Sequence, residues 1–530
     1  MTYGGQPNRN TVGTKGGAAM KLDRTSMLYG TLLLTATGIC SQALGFVYRI
    51  FLSRLIGAEV MGLYQLVMPV YSVLMSITAV GLTAAVSNLS ASYHATGNRA
   101  AISALLRRCL TLFLVLFTPA AVITVLCYDP ISVYLLGDAR TQTGLVLLLP
   151  CVLLTGVENL HKHYFYGTGN VRPPAAVELC EQFIRAAAVL GLLVLFLPQN
   201  PERTVALIVL GMTACELFSA LTLLLLARRS LDKAAGLPGT VPPRQSLDRK
   251  IAALALPVGM TSLLGNLMGS ATAVIIPQRL VAAGAEVSQA MSAFGILCGM
   301  TIPMLCLPTA FIGALGLTLM PKLAQAAALG RTDLVRSRLD RAMFATSLLV
   351  LPAMALLTVL GPTLGTLLFR EEAVGNYLLP LAVGVALTCW QAVLSGALNG
   401  VGRQKAAARN ALLAAVVELG CTFFLMGLPG VGLKGYVAGF ALSAALGAWL
   451  NWRGVHKATG LKARVFAWCV APGLAALLMA LVVRLLFQIL QNHGLADIPN
   501  LAVCAVFGGV LYLAALQAQG VSLRGIFGRK

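Results

Sequence analysis

Residues 27–55 read MLYGTLLLTATGICSQALGFVYRIFLSRL, and their only charges are Arg49 and Arg54. About 20 consecutive apolar residues are enough to cross the hydrocarbon core of a bilayer as a helix. Only a helix keeps every backbone N–H and C=O of such a segment satisfied without water. The stretch therefore predicts a membrane-spanning helix, and the chain beyond it repeats the pattern. Further spans are expected at 60–86, 109–128, 144–166, 175–197, 204–227, 251–277, 292–319, 343–368, 377–400, 407–428, 433–452, 465–490 and 500–519. The expected fold is an all-α integral membrane protein of about fourteen transmembrane helices.

Composition agrees. Of 530 residues, 58% are hydrophobic and 11% charged, against about 25% charged in an ordinary soluble domain. The net charge of +21 is best explained by basic loops facing anionic lipid, so no nucleic-acid partner is expected. All 12 Cys lie in apolar segments without a CxxC pair, which predicts buried free thiols and no structural zinc. Residues 1–26 lack an apolar core and are expected to form a disordered cytoplasmic tail, with Met20 as an alternative start. The basic, Pro- and Gly-containing stretch 228–250 is expected to be a cytoplasmic linker, and 520–530 a second cytoplasmic tail.

With the N-terminus inside, the inward segments hold 30 Lys and Arg and the outward ends and loops hold 8, with Arg185 alone deep in a span. This asymmetry predicts a plasma-membrane protein with both termini cytoplasmic.

The two halves resemble each other. Arg54-Leu55-Ile56-Gly57-Ala58-Glu59-Val60 recurs, with a short insertion, as Arg279-Leu280-Val281 and Gly284-Ala285-Glu286-Val287. Gly81-Leu82-Thr83 recurs as Gly316-Leu317-Thr318. Gly167-x-Gly169-x-x-Arg172-x-x-Ala175 recurs as Gly400-x-Gly402-x-x-Lys405-x-x-Ala408. The repeat unit has six helices, so the halves insert the same way up, related by an axis along the membrane normal. An N-lobe at 27–227 and a C-lobe at 251–455 are expected around a central site, with two added helices in 456–519.

The order of these features resembles the multidrug/oligosaccharidyl-lipid/polysaccharide exporter superfamily. The segments that carry it are Gly45-Phe46-Val47-Tyr48-Arg49-Ile50, Ser53 to Glu59, Gly62-Leu63-Tyr64-Gln65, Ile276-Pro277-Gln278-Arg279-Leu280, Gly316-Leu317 with Pro321, and Gly400-Val401-Gly402-Arg403. Within it, the chain is most similar to sporulation-type polysaccharide-biosynthesis membrane proteins and to the lipid II flippases. The resemblance implies two six-helix lobes around a cavity of alternating access. It also implies a flippase for an undecaprenyl-diphosphate-linked saccharide, such as the peptidoglycan precursor lipid II, with the last two helices helping to hold the lipid tail. The chain departs from Gram-negative members in having no Arg in span 2 and Gln42 at an arginine position of span 1.

Such a carrier makes and breaks no bond, and no catalytic residue or cofactor is expected. It needs a polar cavity with cations for a diphosphate, and arginine fits because its guanidinium makes paired, charge-assisted hydrogen bonds. Arg49, with Gln42 seven residues earlier on the same face, and Arg54 and Arg279 at the ends of spans 1 and 7 are the expected substrate-binding set. They form either a cationic collar at the cavity mouth or snorkelling anchors.

Glu181 and Arg185 of span 5, Glu216 of span 6 and Glu418 of span 11 are the expected ion-coupling or cavity residues, since ionisable groups inside spans are costly and rarely idle. Arg185 lies about 15 Å into its span. A structural ion pair of Arg185 with Glu181 or Glu216 is the alternative, whereas Glu418 has no evident partner in its own lobe. The coupling ion would be Na⁺ or H⁺. The cluster Glu158, His161, Lys162 and His163 is expected to anchor span 4 at the interface. Gly167-Thr168-Gly169-Asn170 reads as a turn, because no strand precedes it. Pro69, Pro257, Pro303, Pro308 and Pro352 are candidate kinks.

The other readings are a Na⁺- or H⁺-coupled multidrug antiporter, an exporter of another lipid-linked polysaccharide, and a membrane-embedded transferase. The outer loops offer only scattered acids for a transferase, such as Asp129, Asp138, Glu371 and Glu372. The remaining expected partners are membrane lipids, and the protein is expected to be a monomer.

Overall fold

The computed structural model describes residues 27–196, 200–232 and 240–520. The expected tails at 1–26 and 521–530, the alternative start at Met20 and positions 233–239 of the linker lie outside them.

Among the described residues there is no strand, and 13 helical runs are long and apolar enough to cross a membrane. The first of them, Leu32–Ala95, has 64 residues. Straight, it would extend roughly 96 Å, about three times the hydrocarbon thickness. It is broken at Gly57, whose φ of 76° and ψ of 176° are not helical and which needs no Cβ to be accommodated there. The limbs are α1 (27–57) and α2 (58–95), so 13 runs make fourteen crossings.

The remaining helices are α3 (Arg99–Leu126), α4 (Gln142–Gly167), α5 (Arg172–Phe196), α6 (Pro201–Asp232) and α7 (Arg244–Ala282). Helix α8 is made of Val287–Phe294, Gly295–Thr301, Ile302–Cys306 and Thr309–Ala328, interrupted by a turn at Leu307 and Pro308. Then come α9 (Thr332–Phe369), α10 (Leu378–Gly400), α11 (Gln404–Met426), α12 (Leu433–Thr459), α13 (Phe466–Asn492) and α14 (Asp497–Ala518). The face on which α1 begins is called proximal, the opposite face distal.

Several connections are shorter than hydropathy implies. The segments expected as loops at 87–108 and 320–342 are mostly helix, reduced to 96–98 and 329–331. Helices continue past the apolar window because polar residues with good propensity extend them into the headgroup region. For the same reason α6 runs on to Asp232 and α7 already begins at Arg244, both within the stretch 228–250.

The repeat is visible in packing and in turns. In the first half α4 and α5 both pack on α6; in the second, α10 and α11 both pack on α12. The α4–α5 and α10–α11 turns carry Gly169 at φ 75° and Gly402 at φ 79°, with matching backbone bonds from Gly169 to Tyr166 and from Gly402 to Asn399. The α2–α3 and α8–α9 turns match likewise, through Gly97 at φ 70° and Gly330 at φ 67°.

Side chains such as Val115, Ile123, Phe424, Leu485 and Val510 stand exposed. In water such surface would drive association; toward lipid it is the favoured outside.

Helices α13 and α14 pack outside the C-lobe along α9, around Leu360, Met479, Val483 and Cys504. Asp340 of α9 fastens the proximal end, accepting from Trp468 Nε1 at 2.8 Å and from Arg464 at 2.9 Å.

Candidate functional site

Helices α2 and α7 run together along the seam between the lobes. Asn266 Nδ2 donates to Ser76 Oγ at 2.5 Å, and Ser270 Oγ donates to the Pro69 carbonyl at 3.2 Å. Around these bridges lies a cavity of about 280 Å³, lined among others by Gln65, Ser72, Asn266, Ser270 and Cys298. Gln65 Nε2 is buried there with no hydrogen-bond partner among the described residues. An unmade donor beside a cavity is a place where a polar ligand gains a full hydrogen bond.

Arg49 lies within electrostatic reach of Tyr64 on α2 and of Cys298 and Cys306 on α8, of which Cys298 lines this cavity. It is half-buried and has no hydrogen-bond or ion-pair partner among the described residues. Gln42, two turns earlier, is exposed. Sequence reasoning singled out Arg49 but passed over Gln65 and Ser72 on α2 and Asn266 and Ser270 on α7. Their spacings of seven and four residues put each pair on one helix face, a polar stripe in an apolar span that is legible once sought.

Arg54 and Arg279 each make contacts at the distal ends of other helices. The Arg54 guanidinium donates to the carbonyls of Leu368, at 2.5 Å, and Leu367. It thereby caps the C-terminus of α9, where a cation meets the negative end of the helix dipole. Arg279 lies over the Phe423 ring at 4.4 Å and against Gly427 on α11. The distal ends of α9 and α11 thus offer Arg54 carbonyls and Arg279 an aromatic face, while Arg279 Nε is buried without a hydrogen-bond partner among the described residues.

The distal seam is closed. A Cβ on Gly62 would strike the Met291 carbonyl, and one on Gly295 the Ala58 carbonyl. Phe46 and Phe369 meet edge to face at 6.0 Å, and Gln278 Nε2 donates to the Leu135 carbonyl at 2.7 Å.

The N-lobe holds a buried ionic network. Arg185 bonds Glu181 on its own helix, Glu216 on α6 at 3.3 Å, and Cys215 Sγ at 3.5 Å. Both alternatives for its partner are therefore present together. Glu181, Cys215 and Glu216 bring their ligand atoms within 4.8 Å of one another.

Glu158 and Lys162 are not interfacial anchors: Glu158 is 4% exposed. Lys162 Nζ reaches Glu178 at 3.1 Å and Glu158 at 4.0 Å. The end of the span was read within a residue or two; what the sequence did not show is that α5 packs over this face of α4, with Glu178 reaching Lys162. His161 and His163 bond back to the Val157 and Asn159 carbonyls of their own helix.

In the C-lobe, Glu418 does have a partner, accepting from Ser443 Oγ of α12 at 3.0 Å. A serine on a neighbouring helix leaves no trace in linear spacing.

A second cavity, about 460 Å³ and chiefly apolar, lies between α2, α3 and α7, lined by residues such as Leu112, Val115, Leu116, Ala255, Leu256 and Leu263. At its proximal rim Arg108 makes a paired salt bridge to Asp248, at 2.6 and 2.8 Å.

Two pseudo-equivalent six-helix lobes meeting at a polar cavity, with two helices added, define a multi-pass membrane transporter of the multidrug/oligosaccharidyl-lipid/polysaccharide exporter superfamily. The chain belongs to the polysaccharide biosynthesis protein family, whose model matches residues 27–327. The model described as lipid II flippase MurJ matches residues 301–503. Stage V sporulation protein B of Bacillus subtilis (strain 168) is 25% identical over 93% of this chain and 95% of its own length. Among solved structures, the lipid II flippase MurJ in an inward closed conformation aligns with a TM-score of 0.64 at 11% identity, over 91% of this chain and 98% of that one. An inward-facing multidrug resistance MATE transporter aligns with a TM-score of 0.63 at 16% identity, over 80% and 96%.

Proposed function

We propose that this protein is a flippase that moves an undecaprenyl-diphosphate-linked saccharide, the peptidoglycan precursor lipid II, from the inner to the outer leaflet by alternating access. The observation that carries the reading is the pairing of unlike cavities along α2 and α7. One is polar, with an unpaired Arg49 beside it; the other is apolar. A lipid-linked saccharide has both characters: a charged headgroup that must leave hydrocarbon and a tail that must not.

Arg49 takes the diphosphate, and Gln42, Gln65, Ser72, Asn266 and Ser270 take sugar hydroxyls. Arg54 and Arg279 act at the distal ends of the lobes and meet the headgroup only as it leaves. The likeness to the lipid II flippase structure extends over more of the chain than the likeness to the MATE transporter, by roughly the length of α13 and α14, which supports lipid over drug.

The proximal face is cytoplasmic, from the Lys and Arg asymmetry. Movement is driven by a cation, Na⁺ or H⁺, acting through Glu181, Arg185 and Glu216 in one lobe and Glu418 in the other. The chain acts as a monomer and needs no enzyme chemistry.

The test is complementation. The native peptidoglycan flippases of a Gram-positive host are depleted, this chain is expressed, and lipid II at the outer face is measured. Rescue is expected, and Arg49→Ala abolishes it while still inserting. Absence of flipping with good expression sinks the lipid II reading, and full activity of Arg49→Ala sinks the role of that residue.

A further inference from the structure

We infer that the proximal end of the N-lobe carries a binding site for a phosphate group, brought there on the headgroup of an anionic phospholipid of that leaflet. The site shares no residue with either cavity of the seam, so the inference is independent of what the transporter carries.

The proximal ends of α2, α3, α4 and α6 meet around a cavity of about 180 Å³. That is many times the roughly 10–15 Å³ that one water needs. Its lining holds His94, Arg99, Tyr164, Thr168, Asn170 and Ser230, together with two aliphatic residues and no acid. Asp232, the next acid along α6, is exposed and stands outside the lining.

The cavity is supplied with unused donors. Arg99 is half-buried, and its guanidinium has no hydrogen-bond or ion-pair partner among the described residues. It keeps all five of its N–H donors for an anion. Tyr164 Oη and Ser230 Oγ bond each other at 3.0 Å. Two hydroxyls bring two protons and their mutual bond uses one, so one O–H is left to donate. Asn170 adds a carboxamide and a backbone N–H that makes no bond among the described residues. Its counterpart in the repeat, Arg403, closes its turn by donating to the Leu398 carbonyl at 2.8 Å.

Donors therefore come from α3, from the α4–α6 contact and from the α4–α5 turn, with the His94 imidazole of α2 beside them. A tetrahedral phosphate accepts from several directions at once, whereas a carboxylate accepts in one plane. The guanidinium fork matches two phosphate oxygens. A metal ion would find no carboxylate or thiol in the lining and would be opposed by Arg99. The helix ends lie where headgroups lie, and basic pockets between spans are where phosphate headgroups dock.

The repeat does not by itself demand these residues. By the offset that pairs Gly97 with Gly330 and Gly169 with Gly402, His94, Arg99, Tyr164 and Thr168 correspond to Ala327, Thr332, Ala397 and Val401. The C-lobe builds the same turns without this chemistry, so packing of the hairpins is not what requires it. A phosphate held here joins the ends of α2 and α3 to those of α4 and α6.

The test uses the full chain. In nanodiscs of phosphatidylcholine with and without phosphatidylglycerol, native mass spectrometry counts the lipids retained. In uncharged detergent, short-chain phosphatidylglycerol and inorganic phosphate are titrated separately at constant ionic strength while Tm is followed, since a ligand of the native state raises it. Saturable phosphatidylglycerol binding is expected, weakened about tenfold or more in Arg99→Gln. Tyr164→Phe keeps the ring and its packing and is expected to weaken binding as well. Arg229→Gln removes an exposed arginine next to Ser230 that does not line the cavity, and is expected to leave binding unchanged. Binding of the lipid that inorganic phosphate cannot match supports the headgroup as the source. Saturable, Arg99-dependent binding of inorganic phosphate with no gain from the lipid supports the site and overturns the lipid source. Unaltered binding in Arg99→Gln, an equal loss in Arg229→Gln, or no saturable binding of either probe overturns the site.

Discussion

The crossing of α2 and α8 at the distal face rests on the absence of two side chains. Gly62 and Gly295 lie against the Met291 and Ala58 carbonyls, in reciprocal contact too close for any Cβ. Gly62→Ala therefore forces the helices apart locally. Overpacking of this kind costs about 1–3 kcal/mol, and the cost falls only on the state in which the seam is shut. Read as a two-state equilibrium, it shifts the ratio of closed to open by about 5- to 150-fold. Gly295→Ala does the same from the other side, and the pair is less than additive because one separation relieves both. Spin labels introduced as non-natural amino acids at Tyr134 and Glu372, on distal connections of opposite lobes, report the opening by pulsed electron resonance. The variants are expected to gain a longer-distance population while keeping their elution profile in detergent. A distance distribution identical to that of the wild type would refute the reasoning.

Three further outcomes follow from other contacts. Arg185→Ala leaves Glu181 and Glu216 buried without their cation, and breaking a buried pair this way costs about 3–5 kcal/mol; a large drop in Tm is expected, and an unchanged Tm would show that the pairs are not formed. Asp340→Ala removes both the Trp468 and the Arg464 bonds; about 1–3 kcal/mol of anchoring is lost, and limited proteolysis is expected to cut the α12–α13 connection faster, with little change elsewhere. Gly402→Ala must adopt a left-handed conformation at φ 79°, costing about 1–2 kcal/mol, and Gly169→Ala is expected to cost a similar amount; a large disparity between their Tm values would speak against the equivalence of the two turns.

The crossings were legible in the sequence because a bilayer imposes a length, and runs such as 27–55 meet it. The repeat was legible because its glycines sit where positive φ or a break is required, as at Gly57, Gly169 and Gly402. What was not legible is what crosses between helices. Glu418 and Ser443 are 25 residues apart, and Arg54 reaches a carbonyl 314 residues away. Linear spacing places residues on a helix face but does not say which helix that face meets. Glu158 was misjudged for the same reason: the end of its span was read nearly correctly, but not that a neighbouring helix covers that face.

Helix α9 is held at two ends by two different bodies. Its distal carbonyls are gripped by Arg54 of the N-lobe, and its proximal end carries Asp340, on which α13 is moored. Under the proposed alternating access, release of Arg54 would leave α9 with the C-lobe, and α13 and α14 would travel with it as outriggers. Release of the distal latch and displacement of the two outer helices in the lipid would then be a single motion, and the proposed exit of the headgroup would coincide with repositioning of the lipid-facing flank.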